Sequence, residues 1–236
     1  MSEHLNALGQ PIGFPVPDWT PRLRPPRTPM VGRCCRVVPI DIDRHAAELH
    51  EANRLDSDGR NWTYLPIGPF PELDAYRAWL SEMTARDDSL FHAIIEAGSG
   101  KAVGLAAYLN IDPASGAVEV GHINYSPLLQ RTTAATEAMY VMMRRAFDEL
   151  GYRRYEWKCD SLNAPSRAAA ERYGFRFEGI FRQATMYKRR NRDTAWYSIT
   201  DREWPAIRDA FERWLEPANF DGAGRQVRDL ASFREG

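Results

Sequence analysis

The 236-residue sequence predicts a mixed α/β fold of the α+β class. Three observations carry this. Apolar runs at 90–97, 102–110 and 117–125 are separated by turns at 98–101 (GSGK) and 113–116, describing three antiparallel strands in succession. A helical apolar period follows at 131–150, with Ala135, Met139, Met142, Ala146 and Leu150 in line. The strand-like run YEWKC at 155–159 comes next, so the centre of the chain is a strand-helix-strand crossover, the connection that joins parallel strands.

Prolines recur from residue 10 to 39, removing backbone donors and favouring extended chain. Residues 1–32 are therefore expected to be an extension that wraps the domain or is partly disordered, 33–216 the folded domain and 217–236 a tail. Two early helices flank the stretch RLDSDGRNWTYLPIGPF at 54–70. In the 131–150 helix, Glu137, Arg144 and Asp148 are assigned to the face opposite the core, and Gly151 to the stop. Asn163 is the expected N-cap of the next helix, with Pro165 in its first turn and Gly174 as its end. Runs at 175–188 and 194–200 read as a closing strand pair, and 204–215 as a last amphipathic helix.

Composition narrows the function classes. Apolar residues at 44% and charged residues at 27%, with no run of about 18 apolar residues, suit a globular protein without a membrane span. The 31 basic residues balance 32 acidic ones, which argues against a phosphate-neutralising nucleic-acid footprint and for a small-molecule or peptide partner. Cys34, Cys35 and Cys159 are odd in number and badly spaced for a metal. The start MSEHLNALGQPIGF lacks a secretory pattern, so a reducing cytoplasm is the expected location, with no metal cofactor.

The junction LLQRTTAATEAM at 128–139 passes from strand to helix without glycine. The first amides of a helix lack internal partners and, with the helix dipole, form an anion site. No capping box fills it, because Ala135 and Thr136 stand three residues after Thr132 and Thr133. Ala134 and Ala135 allow close approach to the backbone and Arg131 adds charge. Thr133 cannot cheaply take a positive φ, so the turn is expected to use ordinary backbone angles. A plain threonine-capped connection is an equally natural reading of these residues alone.

In context, the chain resembles the GNAT superfamily of acyl-CoA-dependent N-acetyltransferases, and within it the RimJ/RimL-like branch. That family's loop, Gln/Arg-x-x-Gly-x-Gly/Ala, is matched by Gln130, Thr133 and Ala135, without the middle glycine, and is followed by Thr136-Glu137-Ala138. Asn163-Ala164-Pro165-Ser166, then Gly174-Phe175 and Glu178-Gly179, match a second signature; Glu119-Val120-Gly121 and Trp62-Thr63-Tyr64-Leu65-Pro66 match two more. The resemblance covers residues 33–200. It implies a strongly twisted, mostly antiparallel sheet with helices on both faces and a central parallel pair, 117–125 and 155–161, splayed around acetyl-CoA. It also implies that the backbone of Ile123, Asn124 and Tyr125 pairs with the pantetheine arm. Gln130, Arg131, Thr132, Thr133, Ala134 and Ala135 would hold the pyrophosphate, and Asn163 and Ser166 would contact the cofactor.

Acetyl transfer to a primary amine needs a group to take the amine proton, because such an amine has a pKa of about 10.4. Glu119 is the expected base, with a cross-strand ion pair as its structural alternative; His122, assigned by alternation to the opposite face, is the reserve. Where many relatives carry a tyrosine that protonates the departing thiolate, this chain has Ala170, which leaves Ser166, Tyr173 or water. Cys159 raises a covalent route, but direct transfer in a ternary complex is preferred. In the 54–70 stretch, Asp56 and Asp58 are expected to attract the amine between Trp62 and Tyr64, unless the aspartates form a turn beside core aromatics. The acceptor remains open among protein N-termini, amino acids and small amines, and a homodimer is the base expectation. The competing function is a noncatalytic acyl-CoA sensor.

Overall fold

The computed structural model describes residues 4–234; the first three residues of the expected extension and the last two of the expected tail fall outside them. Strands β1 (His4–Leu5) and β2 (Pro11–Ile12) pair with each other, and β3 (Met30–Val31), β4 (Cys35–Pro39), α1 (Ile42–Asn53) and α2 (Leu73–Thr84) follow. Next come β5 (Leu90–Glu96), β6 (Ala102–Asp112), β7 (Ala117–Tyr125) and α3 (Thr133–Arg144), the last continued by a π-helical stretch at Arg145–Glu149. The chain ends through β8 (Arg154–Asp160), α4 (Ala164–Tyr173), β9 (Arg176–Tyr187), β10 (Arg190–Thr200) and α5 (Trp204–Leu215).

Eight strands form one sheet in the order β3-β4-β5-β6-β7-β8-β10-β9. Every neighbouring pair is antiparallel except β7 and β8, which the α3 crossover makes parallel. The mostly antiparallel sheet with one central parallel pair is therefore the sheet observed. One apolar layer packs α1 and α2 on the first face, around Leu49, Trp79, Leu80 and Phe91. A larger one packs α3, α4 and α5 on the other, around Met139, Tyr155, Trp157 and Phe211.

The parallel ladder is short. It runs from Ala117–Arg154 to Val120–Trp157, and beyond it the two strands part. The cause lies in β7, where two steps along β6, from Ala107 to Leu105, are matched by three along β7, from Gly121 to Asn124. The extra residue is a β-bulge, with His122 at φ 46°, and a bulge bends its strand and raises the local twist.

The surface face expected for the 131–150 helix is corrected. Every residue of α3 from Ala134 to Met143 is buried, Thr136 and Glu137 included, because the β3–β4 turn and α5 cover the side that faces away from the sheet. The Glu137 carboxylate accepts from three successive amides of that turn, Arg33 (2.8 Å), Cys34 (2.6 Å) and Cys35 (3.0 Å). Asp148 does reach the surface, where it accepts from the Trp204 indole at 2.6 Å.

Segments 19–29 and 219–233 lie on this core. The Trp19 indole donates to the Ala114 carbonyl (2.7 Å), Tyr152 donates to Leu23 (3.1 Å), and Arg145 binds the Pro29 carbonyl (3.0 Å). After α5, Leu230 and Phe233 are buried, and Asn219 bridges the Trp214 and Arg228 carbonyls.

One core group makes stability depend on pH. His92 on β5 is fully buried, edge-on to Tyr108 at 5.3 Å, and neither ring nitrogen has a hydrogen-bond partner among the described residues. Burial, with Arg145 adding repulsion, lowers its pKa from 6.5 to about 3. The unfolded chain takes up this proton near pH 6.5 while the fold resists, so stability is lost as pH falls from 6.5 toward 3 and not above that window. His92→Phe is expected to flatten the stability–pH curve there by about 1.4 kcal/mol per pH unit. Urea titrations at pH 7 and 5 measure this, and parallel curves for the two proteins would refute it.

Candidate active site

The parting of β7 and β8 opens a cavity of about 180 Å³ through the sheet. Residues from both strands line it, Glu119 and His122 from β7 and Lys158 and Asp160 from β8, together with Tyr64, Ser166 and Arg192. At one end the chain leaves β7 toward α3. Thr132 caps that helix, its Oγ1 accepting from the Ala135 amide at 3.1 Å and donating to the Leu129 carbonyl at 2.7 Å. No acceptor among the described residues pairs with the amides of Arg131, Thr133 and Ala134. Ordinary backbone angles do not suffice for this turn: Arg131 stands at φ 62°, a left-handed conformation that costs a non-glycine residue about 1 kcal/mol. The strain that glycine usually relieves has moved two residues ahead of Thr133, which stays helical.

Glu119, only 6% exposed, accepts through Oε2 from Asn110 (2.7 Å) and Lys158 (2.9 Å). Lys158 also pairs with Glu156 at 2.8 Å and sits 4.0 Å over the Trp196 ring. Burial alone would lower the lysine pKa, but the two carboxylates outweigh it and hold it raised, so this ammonium keeps its proton. The cross-strand ion pair anticipated as the structural role of Glu119 is thus present. Its Oε1 nonetheless faces the space beside Gly121, where a Cβ would stand 3.3 Å away.

The Acetyltransferase (GNAT) domain matches residues 36–176, which takes in the parted strands, α3 and α4. The chain belongs to the GNAT acetyltransferase family. Its fold is similar to that of a GCN5-related N-acetyltransferase from Brucella melitensis, with 47% identity, TM-score 0.92, and coverage of 94% of this chain and all (100%) of the other. A probable GNAT acetyltransferase from Chromobacterium violaceum matches at 42% identity and TM-score 0.78 over 84% of this chain and 98% of that one. An uncharacterised N-acetyltransferase of Bacillus subtilis, YnaD, is 25% identical over 148 residues, 63% of this chain and 85% of its own.

Within this GNAT domain, the bulge corrects the placement of His122. Alternation assigned it to the face opposite Glu119, but the extra residue brings its ring against Phe91 (5.1 Å) and Trp79 (6.3 Å), on the α1–α2 face and at the same cavity. Burial, with Arg86 and Arg192 adding, lowers its pKa to about 4, so the imidazole is neutral at pH 7. Gln130 lies at the surface and is tied to the neighbouring loop, its Nε2 donating to Asn61 Oδ1 (2.9 Å) and the Tyr125 carbonyl (2.7 Å). Asn61 binds the same carbonyl at 3.3 Å, so that acceptor on β7 is already engaged. Ile123 lines the cavity, and Asn124 is buried with neither side-chain amide atom partnered.

Asn163 is the N-cap of α4, accepting from the Ser166 amide at 3.2 Å, and both residues line the cavity. Ser166 Oγ accepts from the Trp157 indole at 3.0 Å. Burial raises the Cys159 pKa against a smaller opposing effect of its hydrogen bond to Ser166, so the thiol stays protonated. Ala170 is buried, and Tyr173 packs against Trp157 and Phe211 rather than on the cavity.

Of the expected acceptor residues only Tyr64 reaches the cavity, its hydroxyl donating to the Leu162 carbonyl at 3.1 Å. Asp56 accepts from the Asn61 amide (2.9 Å), which shapes the loop; Asp58 pairs with Arg60 at the surface; and Trp62 is buried edge-on to Phe70. Sequence reasoning missed Lys158, Asp160 and Arg192. Lys158 was accessible to it, since strand alternation puts Glu156 and Lys158 on one face of β8; Asp160 and Arg192 left no comparable signal.

Proposed function

We propose that this chain is an acetyl-CoA-dependent N-acetyltransferase of the RimJ/RimL-like branch, acting on a primary amine by direct transfer in a ternary complex. The observation that carries this reading is the gap between β7 and β8 beyond Val120–Trp157, with free helix amides at one end and the Glu119 carboxylate on its wall. The residues fit the cofactor. The amides of Thr133 and Ala134, beside Arg131, would take its diphosphate. Acetyl-CoA supplies the activated acetyl thioester. Glu119 Oε1 receives the proton that a primary amine must lose before it attacks. The backbone of His122 and Ile123, out of register with β6, offers donors toward the reacting carbonyl oxygen. Ser166 Oγ relays a proton toward the departing sulfur. The branch assignment is supported by Thr136-Glu137-Ala138 after the loop, and a reducing cytoplasm suits the three free cysteines.

Calorimetric titration with acetyl-CoA and CoA release against an amine panel test the reading. Micromolar binding with turnover of an amine is expected. Indifference to CoA at millimolar concentration would overturn it, and tight binding without turnover would make the chain a sensor. Direct transfer also predicts that Cys159→Ala keeps most of the activity; a loss of about a hundredfold in a folded variant would revive the acyl-cysteine route.

A further inference from the structure

We infer that the acceptor is a small zwitterion of amino-acid type, whose carboxylate is held by Arg192 while its amine lies toward Glu119. This rests on the acetyltransferase reading above and adds the acceptor's chemistry to it.

The two cations of the cavity wall differ in their partners. Lys158 is held between Glu119 and Glu156 and covered by Trp196. Arg192 donates through Nε to Thr194 Oγ1 at 3.1 Å, and no carboxylate of the described residues lies within ion-pair distance of it. Asp160, on the same cavity, makes no ion pair with it and accepts instead from the Tyr187 hydroxyl through Oδ2 (2.7 Å) and from the Leu162 amide through Oδ1 (2.9 Å). A guanidinium presents a planar fork that matches a carboxylate, and here the outer edge of that fork is left to the cavity. Arg192 shares its side of the sheet with Thr194 and stays paired with Thr185 of β9; between these two residues two steps along β10 match four along β9, so the irregularity lies in β9. Its charge is felt by both His122 and Cys159, on the two strands that part.

The walls favour a small molecule over a polypeptide. Tyr64 ties the 60–65 loop to the β8–α4 turn at Leu162. From the β9–β10 turn, Lys188 Nζ donates to the Trp62 carbonyl (2.6 Å) and Arg190 to the Thr63 carbonyl (2.7 Å). These three bonds tether the 60–65 loop along the acceptor side, and the cavity of about 180 Å³ is well below the roughly 300–1,000 Å³ of pockets for larger ligands. An amine without an anionic group would leave the half-buried Arg192 fork without a counter-charge in the cavity, whereas a carboxylate supplies one.

The test uses the twenty standard amino acids with acetyl-CoA and, for the best of them, its decarboxylated amine, its carboxamide and a tripeptide that begins with it. The free amino acid is expected to exceed each of these at least tenfold in kcat/KM. Arg192→Gln should raise its KM roughly 10- to 100-fold, leave kcat within about threefold and leave the decarboxylated amine unchanged, while Arg192→Lys recovers part of the loss. Equal use of the decarboxylated amine, preference for the tripeptide, or an Arg192→Gln loss shared by all acceptors would overturn the inference while leaving acetyl transfer intact. Calorimetry of the same amino acids with the CoA-bound protein separates the two failures. Arg192-dependent binding without turnover upholds the zwitterion site and overturns the enzymatic reading; no Arg192-dependent binding overturns the site.

Discussion

Glu119→Gln is expected to lower kcat/KM by about 100- to 10,000-fold, the usual contribution of a positioned general base. The carboxylate is nearly sealed, yet its two oxygens have different surroundings. Oε2 is occupied by Asn110 and Lys158, whereas Oε1 faces the space beside Gly121. Glutamine keeps the shape and still accepts from Asn110, and Lys158 keeps Glu156 as counter-ion, so the thermal midpoint should change little. Loss of activity without loss of folding therefore isolates the proton acceptor from the ion pair. Wild-type kcat in Glu119→Gln would make the carboxylate a counter-ion only and move the base role to His122, which is neutral at pH 7 and lines the same cavity.

The largest stability effect is expected at Glu137. Its carboxylate satisfies three consecutive amides, those of Arg33, Cys34 and Cys35, in a setting where the glutamate is 4% exposed. A Cβ at Gly32 would collide with this carboxylate, so the turn is built closely around it. Alanine would leave the buried Cys35 amide and the part-buried Arg33 and Cys34 amides without this acceptor. The expected loss is about 3 kcal/mol, or a fall in thermal midpoint of roughly 6–12 °C for a chain of this size. Glutamine should fall in between, because one of its two polar atoms donates where an acceptor is needed. Thermal melts of the three proteins measure this, and a shift below about 2 °C for Glu137→Ala would show that the turn finds other partners.

Local patterning accounts for much of the fold. The hairpins of β5, β6 and β7, the crossover through α3 and the Asn163–Pro165–Gly174 boundaries of α4 all follow from spacing and capping within a few residues, and the structure has them there. The Thr132 cap was readable for the same reason. Parity arguments fail where one extra residue enters a strand, as at His122, because every later side chain then changes face. Amphipathic spacing fails along α3, where a carboxylate that looks solvent-facing is buried by a turn about a hundred residues away in the chain.

The site divides along the same line. Glu119, Asn163, Ser166 and Tyr64 reach the cavity at positions that motif and alternation proposed, while Asp56 and Trp62 serve the loop and the core. The order of strands and helices is written in short-range preferences, which each segment carries alone. Which charges are neutralised and which are left facing the cavity depends on segments distant in sequence. Lys158 is quenched by Glu119 across the parallel pair, whereas Arg192 has no carboxylate of the described residues within ion-pair distance and Asp160 bonds Tyr187 and Leu162. Pairing of that kind exists only once the sheet has closed, since it is set by distances between strands rather than by distances along the chain.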